Sequence, residues 1–151
     1  MHTVEIRRAT DDDRRWAAAL MAGSEPWLTL GRGYDACLAA CTSLSDTLDV
    51  ACVGGRPMGF VLVRPKGVAG APYIVSIAVA SEARSGGVGA ALLAHVAASY
   101  RDVSRHLFLC VSSFNVRARI FYERHGFEAV GLFQNFIIDG ADEILMHKAL
   151  D

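Results

Sequence analysis

The feature that most constrains this chain is an apolar, strand-like run that leads through a glycine-rich turn directly into a helical pattern. The run "YIVSIAVA", residues 73–80, is apolar enough for a central strand, and residues 88–96, "VGAALLAHV", carry apolar side chains at helical spacing. Another buried-type strand, residues 106–112, follows the helix. A strand, a helix and a second strand in this order predict a right-handed parallel crossover over residues 73–111.

The turn itself, Arg84-Ser85-Gly86-Gly87-Val88-Gly89, has the composition of an anion-binding loop. A helix start exposes unpaired backbone N–H groups and the positive end of the helix dipole, and glycines let this backbone curl around an anion. The turn therefore predicts a phosphate cradle to which Arg84 adds a charge. The alternative is a tight turn whose glycines ease the packing of helix against sheet, and the glycines alone leave both interpretations open.

Two common nucleotide-binding patterns do not fit this turn. The lysine of a Gly-x-x-x-x-Gly-Lys-Ser/Thr loop is missing, and the glycines fall at 86, 87 and 89 with none at 92, where a Gly-x-Gly-x-x-Gly pattern needs one. A dinucleotide-binding fold also requires a parallel sheet, whereas the rest of this sequence is rich in hairpins.

The order of elements predicts an α+β fold, with a mixed, mostly antiparallel sheet of about seven strands flanked by about four helices. We expect a single domain over residues 1–151. The predicted elements are strand 3–9, a helix that Thr10 caps and Gly23 ends, helix 34–44, a hairpin of strands 47–53 and 57–65 around Gly54-Gly55-Arg56, strand 73–80, helix 88–100, strand 106–112, helix 115–125, and strands 127–138 and 143–150 joined at Asp139-Gly140.

Composition excludes several function classes. A net charge of −1 gives no long-range field of the kind that nucleic-acid binders use. No window reaches the length of a membrane span, and the first ten residues lack the apolar core of a signal peptide. Four cysteines without Cys-x-x-Cys pairs and five scattered histidines give no support for a metal site. We therefore expect a cytoplasmic protein with no nucleic-acid, membrane or metal partner.

Two motifs then give the chain a family resemblance. The spacing Arg84-x-x-Gly87-x-Gly89 after "IAV" resembles the acyl-CoA-binding turn of the GCN5-related N-acetyltransferase superfamily, and "NVRARIFYERHGF", residues 115–127, resembles that family's Asn-x-x-Ala-x-x-Phe-Tyr-x-x-x-Gly-Phe segment. The terminal "DEILMHKAL" resembles its closing strand, so the match covers about residues 73–148. The resemblance implies the acyl-CoA N-acyltransferase fold, acetyl-CoA as co-substrate and a primary amine as acceptor, with direct transfer in a ternary complex.

In this family the strand before the turn splays away from the next strand, and the pantetheine arm of acetyl-CoA enters the gap. The pyrophosphate would then lie on N–H groups of the turn, and Asn115 would contact the cofactor from the start of the later helix, where a helix-cap role is the alternative. The cofactor-binding residues that the resemblance implies are Ile77, Ala78, Val79, Arg84, Ser85, Gly86, Gly87, Val88, Gly89, Ala90, Asn115, Phe121 and Tyr122.

Tyr122 matches the family's general acid, which protonates the leaving thiolate. A phenol has an ordinary pKa of about 10, so it holds a proton to donate at neutral pH. The alternative is a core tyrosine whose hydroxyl lies at the sheet edge. A dimer is common in the family, and edge strands near the C-terminus offer a surface for a homodimer.

The general base has several candidates. Glu25, in the loop "SEPWLTLG", is the first. Trp27 and Tyr34 would shape an amine pocket beside it, and their rings would attract an amine that enters charged. The alternative is that Trp27 plugs the sheet and Glu25 is solvated or caps a turn. Asp142 and Glu143 are weaker candidates that could simply end the last hairpin turn. Two further alternatives are a proton relay from Ser76 through water and a chain of waters without a dedicated base.

One departure from the family bears on the acceptor. In relatives that resemble the ribosomal-protein alanine acetyltransferase, the base is a glutamate on the strand after the cofactor helix, and the corresponding residue here is Cys110. This weakens the inference of a protein N-terminus as acceptor. The leading hypothesis is therefore acetylation of a small-molecule amine. The alternatives are a protein N-terminal or lysine acetyltransferase, and a non-catalytic acyl-CoA-binding module.

Overall fold

One sheet organises the structure, with its seven strands in the order β1-β2-β3-β4-β5-β7-β6. The computed structural model describes residues 3–151. The strands are β1 (Val4–Arg8), β2 (Thr47–Val53), β3 (Arg56–Val68), β4 (Ala71–Val79), β5 (His106–Ser112), β6 (Glu128–Phe133) and β7 (Glu143–Ala149), and the helices are α1 (Asp11–Ala22), α2 (Tyr34–Cys41), α3 (Val88–Tyr100) and α4 (Val116–Arg124), with a 3-10 turn at Ser81–Ala83.

Neighbouring strands are antiparallel in every pair except β4 with β5. These two strands are parallel, and α3 connects them in the sequence. This arrangement confirms the predicted α+β fold with a mixed, mostly antiparallel sheet and four α-helices. None of the helices in residues 3–151 combines the length and the apolar content that a membrane crossing requires.

Local sequence signals explain where the early elements begin and turn. At the start of α1, the Thr10 side chain accepts a hydrogen bond from the Asp13 N–H, and the Asp13 carboxylate accepts one from the Thr10 N–H. This reciprocal capping box satisfies two N–H groups that the helix cannot pair. Between β2 and β3, Gly54 and Gly55 have φ values of 59° and 79°, which glycine adopts without steric cost.

Two apolar cores lie on opposite faces of the sheet. On one face α3 and α4 cover inward-facing residues of β5 and β7, among them Leu109 and Met146. On the other face α1, α2 and Trp27 cover residues of β2 and β3, among them Leu48 and Phe60. Side chains alternate between the two faces along each regular strand, so a residue's position in the strand decides which face it serves.

The last hairpin differs from its prediction. The sequence pattern extends β6 to residue 138 and places the turn at Asp139-Gly140, but β6 ends at Phe133 and residues 134–142 form the loop. The reason is side-chain hydrogen bonding: Asn135, at a positive φ of 48°, donates its N–H to Asp142 Oδ1 at 3.0 Å and accepts the Gly140 N–H on Oδ1 at 2.7 Å. These local bonds compete with the strand ladder and close a longer loop.

Candidate active site

The parallel strands β4 and β5 separate soon after they meet. They pair only at Tyr73 with Phe108 and at Ile74 with Leu109, after which β4 stays with β3 and β5 stays with β7. A register shift between β3 and β4 lies next to Ile74. Beyond Ile74, the side of β4 that faces β5 has no strand partner, and a cleft of about 1260 Å³ opens there.

The start of α3 borders one end of this cleft. Gly87 stands at the N-cap with a φ of 83°, a left-handed conformation that favours glycine, and no side chain caps the helix. The first helical hydrogen bond runs from the Ala91 N–H to the Gly87 carbonyl, so the N–H groups of residues 88–90 have no helical partner. With Arg84 also lining the cleft, this end fits an anionic group such as a diphosphate.

Gly89 and Phe121 fix how closely α3 approaches α4. A Cβ atom on Gly89 would lie 3.0 Å from Phe121 Cζ, so only glycine leaves the ring in its place. Phe121 also packs on Tyr122 and His125, with ring centroids 5.7 Å and 4.6 Å away. Asn115 stands at the N-cap of α4, but its side chain makes no capping hydrogen bond and lines the cleft.

Tyr122 enters the cleft from α4. The residue is only 8% exposed and belongs to the apolar core between the sheet and helices α3 and α4. Burial raises the pKa of its phenol above the ordinary value, so the hydroxyl keeps its proton at neutral pH. Burial is the sole cause of this pKa shift, so no hydrogen bond to the phenol contributes to it. Within residues 3–151 every fully buried side-chain polar atom has a hydrogen-bond partner, so a hydroxyl without one must be accessible. We infer that its hydroxyl opens on the cleft.

The loop between α1 and α2 holds the acceptor-side residues named from the sequence. Glu25 is solvent-exposed at its carboxylate, which accepts hydrogen bonds from the Thr29 N–H at 2.8 Å and the Thr29 hydroxyl at 2.6 Å. These bonds lower the pKa of Glu25, which makes it a weaker proton acceptor than an ordinary glutamate. Trp27 is 8% exposed and packs against the α1–α2 core while also lining the cleft.

The cleft lining includes most of the residues singled out from the sequence. Of the predicted cofactor and acceptor contacts, Gly86 and Tyr34 lie outside the lining. The Gly86 N–H is bonded to the Ala83 carbonyl at 3.3 Å, and Tyr34 is 39% exposed at the start of α2. Those that line the cleft are Glu25, Trp27, Ile77, Ala78, Val79, Arg84, Ser85, Gly87, Val88, Gly89, Ala90, Asn115, Phe121 and Tyr122.

Glu143, a weaker candidate base than Glu25 in the sequence analysis, also lines the cleft. Glu143 begins β7 directly opposite Ser112 of β5, and the Ser112 hydroxyl donates a hydrogen bond to Glu143 Oε2 at 2.6 Å. Glu143 is 7% exposed, and burial raises its pKa against the opposing effects of the Ser112 hydrogen bond and the Arg32 charge. The antiparallel register of β5 with β7 is the signal that could have found this pair.

Tyr73 and Cys110 complete the polar wall next to Glu143. Burial, with a smaller contribution from the neighbouring Cys110, raises the pKa of Tyr73, and burial raises the pKa of the Cys110 thiol, so both groups are neutral at physiological pH. Asp142, the other acidic residue of the hairpin, instead bonds the Asn135 N–H within the loop. Across residues 3–151, no three His, Cys, Asp or Glu side chains come together in a metal-binding arrangement.

Comparison with known proteins yields several matches. The family model described as Acetyltransferase (GNAT) family matches residues 10–127. An uncharacterized N-acetyltransferase of Methanocaldococcus jannaschii is 37% identical over 101 residues, which cover 66% of this chain and 64% of that protein. A 5-NmdU N-acetyltransferase of Pseudomonas phage PaMx11 is 39% identical over 77 residues, which cover 51% of this chain and 54% of the phage protein. The chain thus spans less than two thirds of each relative's length.

The fold also matches solved structures. A GNAT-family structure from Desulfovibrio desulfuricans superposes with a TM-score of 0.83 at 24% identity, covering 99% of this chain and 100% of that chain. The family model covers well over half of the sequence, and its match includes both the glycine turn and the segment that carries Tyr122. The chain is therefore a member of the GNAT family of acetyltransferases.

Proposed function

We propose that the protein is an acetyl-CoA-dependent N-acetyltransferase that transfers the acetyl group directly to a primary amine of a small molecule in a ternary complex. The observation that carries the proposal is the gap between β4 and β5, which has an uncapped helix start at one end and a buried tyrosine on its wall. The names of both curated relatives are those of N-acetyltransferases.

The residues of the cleft fit coenzyme A along its length. The diphosphate would accept hydrogen bonds from the N–H groups of residues 88–90, with Arg84 adding a positive charge. The pantetheine arm would lie along Ile77, Ala78 and Val79, where the β4 backbone has no strand partner on its β5 side. An extended chain gains backbone hydrogen bonds when it lies along such an edge. When bound, acetyl-CoA supplies a thioester as the acetyl donor.

Tyr122 would act as the general acid. Its buried hydroxyl is protonated across the physiological pH range because its pKa is raised. A proton donor at this point assists departure of the sulfur, and positioned acid–base catalysis contributes about 10²- to 10⁴-fold to a rate. Phe121 would pack beside the arm and hold the neighbouring Tyr122 ring in place.

A small acceptor is favoured by the shape of the cleft mouth. The α1–α2 loop and the β6–β7 loop both line the cleft, and they contribute bulky apolar side chains, among them Leu28 and Phe136. A protein acceptor needs an open groove for its backbone, whereas a small amine needs only a pocket. The alternative, acetylation of a protein N-terminus or lysine, therefore requires these loops to leave room for a peptide.

An acceptor panel with acetyl-CoA tests the proposal by following release of the free thiol. The panel contains an alkylamine, phenethylamine, a diamine, a free amino acid, a peptide with a free N-terminus and a blocked peptide with one lysine. We expect turnover with a small amine and much slower turnover with both peptides. Faster turnover of a peptide would establish the protein-acetylating alternative.

Calorimetry with coenzyme A and acetyl-CoA separates the remaining outcomes. Binding without turnover of any acceptor would favour the non-catalytic acyl-CoA-binding module. Failure to bind either ligand at millimolar concentration would refute the proposed function. Tyr122→Phe accompanies both assays because it removes the hydroxyl and keeps the ring packing.

A homodimer remains a prediction from the family resemblance. The strand β6 lies at one edge of the sheet, so a second copy could pair with it. Light scattering coupled to size-exclusion chromatography would give the oligomeric state directly.

A further inference from the structure

We propose that Glu143 is the catalytic residue that binds and deprotonates the acceptor, and that the acceptor is a primary monoamine carried on an apolar stem. This inference rests on the proposed function, since it names the acceptor-side residue and the class of amine for the same cleft.

The first observation is a missing countercharge. Three carboxylates are buried among residues 3–151: Asp13, Asp46 and Glu143. Asp13 pairs with Arg7, and Asp46 pairs with Arg64 at 2.8 Å. Glu143 has neither an arginine nor a lysine at ion-pair distance within the described chain, and its hydrogen bond comes from the neutral Ser112 hydroxyl. Burying an unpaired charge is costly, so an ammonium group in the cleft would supply the partner that the fold leaves out.

The second observation is an available oxygen atom. The Ser112 hydroxyl binds Glu143 Oε2, and no fully buried side-chain polar atom in residues 3–151 lacks a partner. Oε1 has no hydrogen-bond partner within these residues, so it is accessible, and we place it on the cleft that Glu143 lines. The ionisable groups around it are Tyr73 on β4, Cys110 on β5 and the exposed Arg32 in the α1–α2 loop. Both of the strand groups are neutral at physiological pH, so neither competes with an ammonium for the carboxylate.

The third observation is that Glu143 and Tyr122 reach the gap from opposite faces of the sheet. Val111 and Ile144 belong to the core on the α3–α4 face, where Tyr122 also lies. Because side chains alternate along strands, the paired residues Ser112 and Glu143 point to the other face. The open space between β4 and β5 joins the two faces, so a base and an acid can act on opposite sides of one reacting carbon.

This arrangement gives a balanced reaction. Glu143 Oε1 accepts one proton from the acceptor ammonium, and the freed nitrogen lone pair forms the amide bond as the carbon–sulfur bond breaks. The Tyr122 hydroxyl gives its proton to the departing sulfur. The nitrogen loses its second proton to solvent, Glu143 releases its proton to solvent, and Tyr122 regains one proton from solvent, which leaves amide, free thiol and one proton.

The apolar walls define the rest of the acceptor. Leu28, Phe136 and Ile137 line the cleft with 57%, 62% and 37% of their surfaces exposed. Exposed apolar side chains grouped at a cleft are covered on binding an apolar ligand. Glu25 and Glu143 are the two acidic residues of the lining, and Glu25 is bonded to Thr29. Arg32, in the same loop as Glu25, is positively charged and would repel a second ammonium group. This side of the cleft therefore suits an acceptor with one positive charge.

Glu143→Gln tests the catalytic role against Glu128→Gln, a matched control on the exposed edge strand β6. We expect kcat/KM of Glu143→Gln to fall about 10²- to 10⁴-fold and the midpoint of the acid limb of the pH profile to move up from the pKa of Glu143 to that of the amine. The residual rate should then rise tenfold per pH unit, because free amine forms in solution as the pH approaches the amine pKa. A variant within threefold of the wild type, or one whose acid limb keeps its wild-type midpoint, would overturn the role.

A binding measurement keeps the test independent of turnover. In carbon-13 glutamate-labelled protein loaded with coenzyme A, the carboxyl resonance lost in Glu143→Gln identifies Glu143. We expect phenethylamine to shift this resonance and 2-phenylethanol, its uncharged counterpart, to leave it unchanged. An equal response to both compounds, or none to either, would overturn the inference. An amine-specific shift in a protein without turnover would instead contradict the proposed function while supporting Glu143 as the amine site.

Discussion

The cofactor side and the acceptor side of the cleft differ in the groups that line them. The cofactor side consists of the unpartnered edge of β4, the glycine-rich start of α3 and side chains of α4, all within two short segments, residues 77–90 and 115–122. The acceptor side consists of side chains from the α1–α2 loop, β4, the end of β5 and the β6–β7 hairpin. The first side is therefore set by local sequence, whereas the second depends on how distant segments meet.

The difference is also electrostatic. A helix start attracts an anion through fixed partial charges that need no ionisation, so its binding strength is insensitive to pH near neutrality. Glu143 is a buried ionisable group whose charged form is disfavoured until a cation arrives. This contrast predicts that changes on the cofactor side alter affinity for coenzyme A, whereas changes on the acceptor side alter pH dependence.

The largest effect is expected where the two sides meet, at Tyr122. In Tyr122→Phe the ring still fills the core, but no proton reaches the sulfur, so kcat should fall about 10²- to 10⁴-fold. Affinity for coenzyme A, measured by calorimetry, should stay within about threefold. A variant with wild-type kcat would remove Tyr122 from the chemistry, and a parallel loss of affinity would make it a structural residue.

A bulky residue at position 89 should weaken the binding of coenzyme A. In Gly89→Val the new Cβ would lie at the 3.0 Å contact with Phe121 Cζ, so the start of α3 or the ring must move. Overpacking of this kind costs about 1–3 kcal/mol, and if this cost falls on the cofactor-bound state it weakens binding of coenzyme A by about 5- to 150-fold. Ala94→Val, on the exposed face of the same helix, controls for the helix propensity of valine. Equal affinities for the two variants would contradict the prediction.

The same contrast explains how much the sequence could predict. The order of elements, the four helices and the α3 turn all follow from local patterns, and the structure contains each of them. The end of β6 was predicted incorrectly because Asn135 and Asp142 bond to the backbone across the loop, which no period-2 pattern encodes. The burial of Glu143 and its Ser112 partner could not be predicted from local patterns because both depend on the pairing of β5 with β7.

The pH dependence of the unfolding temperature tests whether Glu143, on the acceptor side, is a buried charge in the folded protein. The pKa of Glu143 is raised in the folded protein, so ionising it above its ordinary value of 4.5 opposes folding. Glu143→Gln should therefore unfold at a higher temperature than the wild type at pH 8, and the difference should vanish below pH 4.5. The exposed Glu128→Gln should show no such pH-dependent gain.

The smallest effect is expected at Glu25, which separates the two candidate bases. Its carboxylate is exposed and bonded twice to Thr29, so its removal should loosen the loop that borders the acceptor and leave the proton transfer to Glu143. We expect Glu25→Gln to lower kcat/KM about two- to threefold, through KM, with the acid limb of the pH profile unchanged. Thr29→Val, which removes one of the two hydrogen bonds from the other partner, should give a similar loss. If Glu25→Gln moves the acid limb to the amine pKa and Thr29→Val does not, the base lies in the α1–α2 loop, and the acceptor side is assembled around Glu25 instead of Glu143.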